Sequence, residues 1–146
     1  MSRKVVEIAA SQVGVSEQPK CSNKGPEVDQ YLLAVGINFA AAWCAAFVVW
    51  CHNRAGIEIP RTGGVLDLWN KSAANRVSEP QPGDVMILDY GKGKGHTGIV
   101  ESVAGGLVHT IEGNTNDEGS REGYEVARRV RKISAAKGFL RFTGAE

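Results

Sequence analysis

The sequence predicts an α+β fold in which N-terminal helices pack against a C-terminal antiparallel sheet of about five strands. Three observations carry this. Up to about residue 72, apolar residues recur three and four positions apart, the period of a helix with one buried face. After Pro80-Gln81-Pro82-Gly83 the apolar runs become short and are separated by glycines, as strands and hairpins are. Helices first and strands second segregate the two element types, and that order favours an antiparallel sheet.

The first helix has Ser2 as its N-cap. Val5, Ile8, Ala9, Gln12 and Val13 follow at helical spacing, and Gly14 can end the turn. Val15 to Gly25 is polar, contains Pro19 and reads as a loop. Pro26 suits a first helical position, and Val28, Tyr31, Leu32 and Val35 make one stripe before Gly36. A third helix ends at Ala55, with Gly56 as the residue beyond it. Counting back a mean helix length of roughly 11–12 residues places its start near Trp43 or Cys44. Thr62 to Ser72 holds a short helix presenting Val65, Leu68 and Trp69.

Strands are expected over Asp84–Tyr90, His96–Val103, Leu107–Asn114, Tyr124–Val130 and Phe139–Phe142. Val85-Met86-Ile87-Leu88 is too apolar for either face of that strand to lie in water. Gly91-Lys92-Gly93-Lys94-Gly95 reads as a flexible connection, Ala104-Gly105-Gly106 as a hairpin turn and Thr115 to Gly123 as a polar loop.

A chain of 146 residues is one domain's worth, residues 1–146. Seventeen Lys and Arg against sixteen Asp and Glu leave a net charge of +1, too small an excess for a general nucleic-acid binder. No apolar run approaches the roughly 20 residues that span a bilayer. Glu7, Ser11 and Gln12 interrupt what would be the apolar core of a signal peptide, so synthesis without an export address is expected. Cys21, Cys44 and Cys51 are an odd set with no C-x-x-C spacing, neither a disulfide framework nor a structural zinc site.

One thiol is chemically distinguished. Cys44 and Cys51 lie seven apart, near one helix face. Cys44 is at the helix start, where unpaired N–H groups and the positive dipole end favour a thiolate, whereas Cys51 is in the last turns. The alternative is that Cys44 is a small buried residue. Cys51 reads as core and Cys21 as a loop thiol. A nucleophilic cysteine needs a base and a group to hold it. His52 reads as a partly exposed residue at a helix C-terminus and His109 as a structural residue within a strand. His96 opens a strand after three glycines. If Val103 pairs with Leu107 across a three-residue turn, His96 lies opposite Asn114. Alternation then puts His96, Gly98, Val100 and Ser102 on one face with Asn114, Glu112, Thr110 and Val108. His109 falls on the other face, and Gly98 leaves room beside the imidazole.

These segments resemble a known family. Trp43-Cys44-Ala45-Ala46-Phe47, Pro82-Gly83-Asp84-Val85, Gly95-His96-Thr97-Gly98-Ile99-Val100 and Glu112-Gly113-Asn114-Thr115 are similar to the CHAP domains: cysteine, histidine-dependent amidohydrolases/peptidases, papain-like enzymes that cut bacterial peptidoglycan. The resemblance covers roughly residues 37 to 115. It implies Cys44 as nucleophile and His96 as general base, with Glu112 and Asn114 orienting the imidazole. Trp43 and Asn38 would face substrate, Asn38 offering a second oxyanion donor beside the Cys44 N–H; a cap or loop role for Asn38 stays open. Many members carry Gln where this chain has Trp43. Some carry an acidic calcium loop near the N-terminus that is absent here, and Asn114-x-Asn116-x-Glu118-Gly119 reads as a solvated turn.

The resemblance implies an amide hydrolase acting on peptidoglycan peptide stems, with no cofactor. A phage lysis or tail protein, or a toxin carried by a secretion machine, would reach that substrate without a signal peptide; any delivery or immunity partner is unidentified. The rival readings are a non-catalytic wall- or protein-binding module of the same fold and a metal site built from Cys44, His96 and Glu112. The basic residues Arg121, Arg128, Arg129, Arg131, Lys132, Lys137 and Arg141 read as a solvated strand edge ahead of an anchor for anionic wall polymers.

Overall fold

A computed structural model of the chain describes residues 3–115 and 123–143. It has α1 (Arg3–Ser11), α2 (Pro26–Ala34), α3 (Cys44–Arg54) and α4 (Val65–Lys71), then β1 (Arg76–Val77), β2 (Val85–Gly91), β3 (Lys94–Ala104), β4 (Leu107–Thr115), β5 (Glu125–Lys132) and β6 (Gly138–Leu140). All four expected helices form; the Ser2 cap lies outside the described residues. Helix α2 opens on Pro26, and the chain leaves it through Gly36 at φ 79°. Helix α3 ends as its sequence requires. Gly56 takes φ 76°, and the Ile57 N–H returns to the His52 carbonyl at 2.9 Å, a glycine-terminated C-cap.

The sheet is antiparallel and has six strands, in the order β1-β6-β2-β3-β4-β5. The additional strand is β1, which has two residues, too few to show a period. The glycine segment after Tyr90 is not a loose connection. Gly91 pairs with Lys94, and the turn residues Lys92 and Gly93 have φ 58° and 77°, the positive pair a tight hairpin turn needs. Strand β3 therefore begins before His96.

Alternation along β2 sorts its apolar run. Val85 and Ile87 join the main core with Phe47, Val48, Ile99 and Ile111, while Met86 and Leu88 join a second cluster with Val100, Val108 and Phe139. Both faces of the strand are thus buried, as its composition demands. At the start of β2, buried Asp84 accepts the Gln81 N–H and a two-pronged bond from Arg141, at 2.8 and 2.9 Å. That clasp ties the Pro82-Gly83-Asp84 turn to the chain beyond β6.

The β3–β4 hairpin differs from expectation at its tip and agrees with it farther in. Ala104 pairs with Leu107 across Gly105-Gly106, a turn one residue shorter than expected. A bulge between Val100 and Ser102 absorbs the offset, so Val100 faces Thr110 and Ile99 faces Ile111, the expected partners. Ser102 instead faces His109. Extra residues of this kind shift pairing locally; here the shift keeps His96 in line with the far end of β4.

Candidate active site

Cys44 is the first residue of α3, as counting back from Gly56 predicted. The first turn of a helix leaves its leading N–H groups without intrahelical acceptors. The one just before the helix, that of Trp43, is accepted by the Asn114 Oδ1 at 2.8 Å. Cys44 keeps 5% of its surface exposed and His96 none, so of the two residues Cys44 is the one that solvent reaches.

His96 comes from β3 and Glu112 from β4. The imidazole Nε2–H donates to Glu112 Oε1 at 2.8 Å; Nδ1 is buried and has no hydrogen-bond partner among the described residues, and the Cys44 thiol interacts with the ring electrostatically. Burial disfavours the imidazolium, but Cys44 and Glu112 together outweigh it and raise the His96 pKa to about 9. Glu112 is itself fully buried. Burial opposes its charge, yet Arg131 and His96 hold its pKa down at about 2. The Arg131 Nη2 donates to Oε1 at 2.6 Å and its Nε to Oε2 at 2.9 Å, while the Thr110 hydroxyl donates to Oε2 at 2.6 Å. The arrangement can hold a proton on an imidazole beside a sulfur.

Two glycines make room for it. A Cβ at Gly98 would lie 2.5 Å from Glu112 Cγ; the room this residue leaves beside the imidazole holds the Glu112 side chain. A Cβ at Gly113 would lie 2.7 Å from the Trp43 ring and 2.9 Å from Phe47 Cβ, so α3 packs directly on β4 between Glu112 and Asn114.

The structure brings Cys44, His96 and Glu112 together and puts other expected site residues elsewhere. Asn114 does not bond the imidazole. The β4–β5 pairing shifts between Glu112 and Thr115, Asn114 takes φ 59°, and its carboxamide bridges the Trp43 N–H and the Gly123 carbonyl. It steadies the approach to Cys44. Trp43 is not substrate-facing. It is fully buried, stacks on Tyr31 at 5.6 Å and donates its indole N–H to Glu17 Oε2 at 2.8 Å; so large an apolar ring belongs in the core. Asn38 is exposed in the loop before α3, beside a cavity of about 180 Å³ shared with Lys24, Leu33 and Phe39.

His52 is buried, not partly exposed. Its Nδ1–H donates to the Val48 carbonyl at 2.8 Å, and its ring meets Phe142 edge-on. His109 is exposed on β4, Cys51 is core and Cys21 an exposed loop thiol. Asn116, Glu118 and Gly119 lie outside the described residues, as does Arg121. Sequence reasoning missed Arg131, which it assigned to a solvated edge, and Glu17. The available signal for Arg131 was parity, since it faces Val108, on the strand face of Thr110 and Glu112.

A family model described as the CHAP domain matches residues 36–114, more than half of the chain. "Probable endopeptidase p60" of Listeria welshimeri is 38% identical over 58 residues, 38% of this chain and 10% of that protein. The protein of the same name in Listeria monocytogenes is 38% identical over 58 residues and is covered to 11%. The match thus spans about a tenth of the length of these curated relatives. The crystal structure of Ly7917 shares the fold, with a TM-score of 0.60, 14% identity, and 99% of this chain and 62% of that chain covered.

Proposed function

The chain belongs to the CHAP domain family, and on that premise we propose that it hydrolyses an amide bond in the peptide part of bacterial peptidoglycan by covalent catalysis at Cys44. The observation that carries this reading is the buried His96 imidazole set between the Cys44 thiol, which helps hold its charge, and the Glu112 carboxylate, to which its Nε2 is bonded at 2.8 Å. Of Cys44 and His96, Cys44 alone retains exposed surface. The relatives named endopeptidase favour a bond within the peptide over the glycan–peptide amide.

With the proton on His96, the Cys44 sulfur attacks the amide carbonyl carbon and a C–S bond forms. The carbonyl oxygen takes up the negative charge, facing the N–H groups at the start of α3. The C–N bond breaks as His96 gives its proton to the departing amine. Water, deprotonated by His96, then cleaves the thioester and returns the sulfur. Glu112 keeps the ring oriented and its positive form stable. Acid–base assistance of this kind contributes about 10²–10⁴ in rate. A metal bound by Cys44, His96 and Glu112 fits poorly, because Glu112 already accepts four hydrogen bonds, two of them from a cation.

Purified peptidoglycan distinguishes the readings. Cys44→Ala should abolish release of soluble fragments without changing the far-UV spectrum, and mass spectrometry of wild-type products should show new termini at one amide. A Cys44→Ala protein that solubilises wall as fast as the wild type overturns the mechanism. A wild-type chain that binds wall and releases nothing makes this a binding module.

A further inference from the structure

We propose that Arg131 is a positioning residue for the catalytic base: its guanidinium fork, with the Thr110 hydroxyl, locks Glu112 in the ionised form and in the one orientation that serves His96. This inference rests on the hydrolase reading and extends it to a residue on a third strand.

Glu112 has no exposed surface, and a carboxylate withdrawn from water stays charged only where its oxygens are satisfied. Here each oxygen accepts two bonds. Oε1 takes the His96 ring and Arg131 Nη2; Oε2 takes Arg131 Nε and Thr110. Arg131 supplies half of them and a permanent positive charge. Without it, the buried groups would be the sulfur, the imidazole and an uncompensated carboxylate. The fork is also geometric. Two parallel N–H donors fix the carboxylate plane, and that plane sets where Oε1 meets the imidazole. Arg131 is itself held: its side chain is 17% exposed and bonds Tyr90, at the end of β2. It thus joins β2, β4 and β5 at the base of the site. Its neighbours on β5 do different work; Arg128, for example, pairs with Glu101 at the surface.

The direction of the effect follows. Without the fork, burial dominates and Glu112 takes a proton at higher pH than before. Once protonated it no longer favours the imidazolium, and the reactive form of Cys44 is lost. The acid limb of Cys44 reactivity should therefore move to higher pH.

The test uses the full chain with Cys21→Ser, since Cys21 is an exposed thiol. Arg131→Met, Arg131→Lys and Thr110→Val are compared by iodoacetamide alkylation of Cys44 against pH and by peptidoglycan lysis. Arg131→Met should move the acid limb up by about one pH unit or more. It should also lower kcat at least about tenfold, with KM within about twofold. Lysine, which keeps the charge and loses the fork, should fall between Met and wild type, and Thr110→Val should shift the limb less in the same direction. A folded Arg131→Met with the wild-type limb and kcat overturns the proposal. If Arg131→Met does not fold, unchanged limbs in both other variants overturn it equally. Alkylation needs no substrate, so a shifted limb in a chain that lyses nothing would sink the hydrolase reading alone and leave the positioning role standing.

Discussion

Helix α3 runs between two cysteine–histidine neighbourhoods. At its start, Cys44 meets His96 from β3; near its end, Cys51 precedes His52 in the chain. All four side chains are buried, and burial acts in the same sense at both ends, against the charged forms. At the far end only the His52 bond to the Val48 carbonyl opposes it, and burial prevails. The Cys51 thiol is pushed well up by burial, and His52 is brought down to about 4. Its Nδ1–H is spent on Val48, and Nε2 has no hydrogen-bond partner among the described residues. At the near end the imidazole rises to about 9. The residue types are the same and the burial is similar. What differs is a thiol facing the ring and a carboxylate bonded to it, the carboxylate itself kept ionised by an arginine. Chemistry in this fold is set less by where the helix puts a thiol than by what the sheet brings beside it.

The largest effect should come from making the near end resemble the far one. Glu112→Gln keeps the shape and removes the charge. His96 then keeps only Cys44 to set against burial, and its pKa should fall from about 9. Lysis should drop by about 10²–10⁴, the usual worth of acid–base assistance. NMR titration of the His96 ring checks the cause directly. A variant that lyses wall within twofold of wild type, with a ring still titrating near 9, would show that the carboxylate is not what separates the two ends.

A smaller, purely thermodynamic contrast comes from the far end. The folded pKa of His52, about 4, lies below the ordinary 6.5, so unfolding takes up a proton between those values. Stability is then intact above pH 6.5 and lost as pH falls toward 4. At about 1.4 kcal/mol per unit the loss reaches about 3 kcal/mol. His96 has the opposite sign. Its folded value, about 9, lies above 6.5, so its contribution is present below 6.5 and fades as pH rises through 9. Urea melts of wild type and His52→Phe from pH 4 to 7 isolate the first. The substitution should flatten that slope; an equally steep slope in both proteins would mean that His52 is not its source.

The sequence made one end of this comparison readable and hid the other. Gly56 marks a helix end, and a mean helix length leads back to Cys44. Strand alternation put His96 and Glu112 on one face. That reading assumed a three-residue turn; the actual turn is shorter, and the bulge at Glu101 repairs the register. A bulge leaves no mark in hydrophobic alternation, so the agreement at Ile99 and Ile111 came from two departures that cancel. Arg131 was hard to read for a different reason: parity puts it on the face of Glu112 but not opposite it. It stands opposite Val108 and reaches along the sheet toward Glu112, whose own partner is Ala127; pairing of directly facing positions does not show so long a reach. Among basic neighbours on an edge strand it looks like solvated charge. Asn114 sits on a residue of positive φ where alternation fails, which sends its carboxamide to Trp43 in place of the ring. His52 reads as surface because a helix C-terminus usually is one, and the contact with Phe142, far along the chain, has no local signature.

The smallest effect expected is at Cys51, and it sharpens the comparison by being small. Cys51 lies on the same helix as Cys44, is fully enclosed and has a thiol that burial keeps protonated. Nothing in its surroundings stabilises a thiolate, so it serves as packing volume. Cys51→Ala removes one buried sulfur and should cost about 1 kcal/mol, the scale of a small core truncation. Lysis at neutral pH should stay within twofold, because Cys51 touches neither His96 nor Glu112 through any described bond. Alkylation gives the converse. In the native chain at pH 7, iodoacetamide should label Cys44 and exposed Cys21 and spare Cys51 until denaturant is added. Native labelling of Cys51 at the rate of Cys44 would mean that the two ends of α3 are not chemically distinct, and an activity loss in Cys51→Ala beyond its stability cost would place the second sulfur inside the working site.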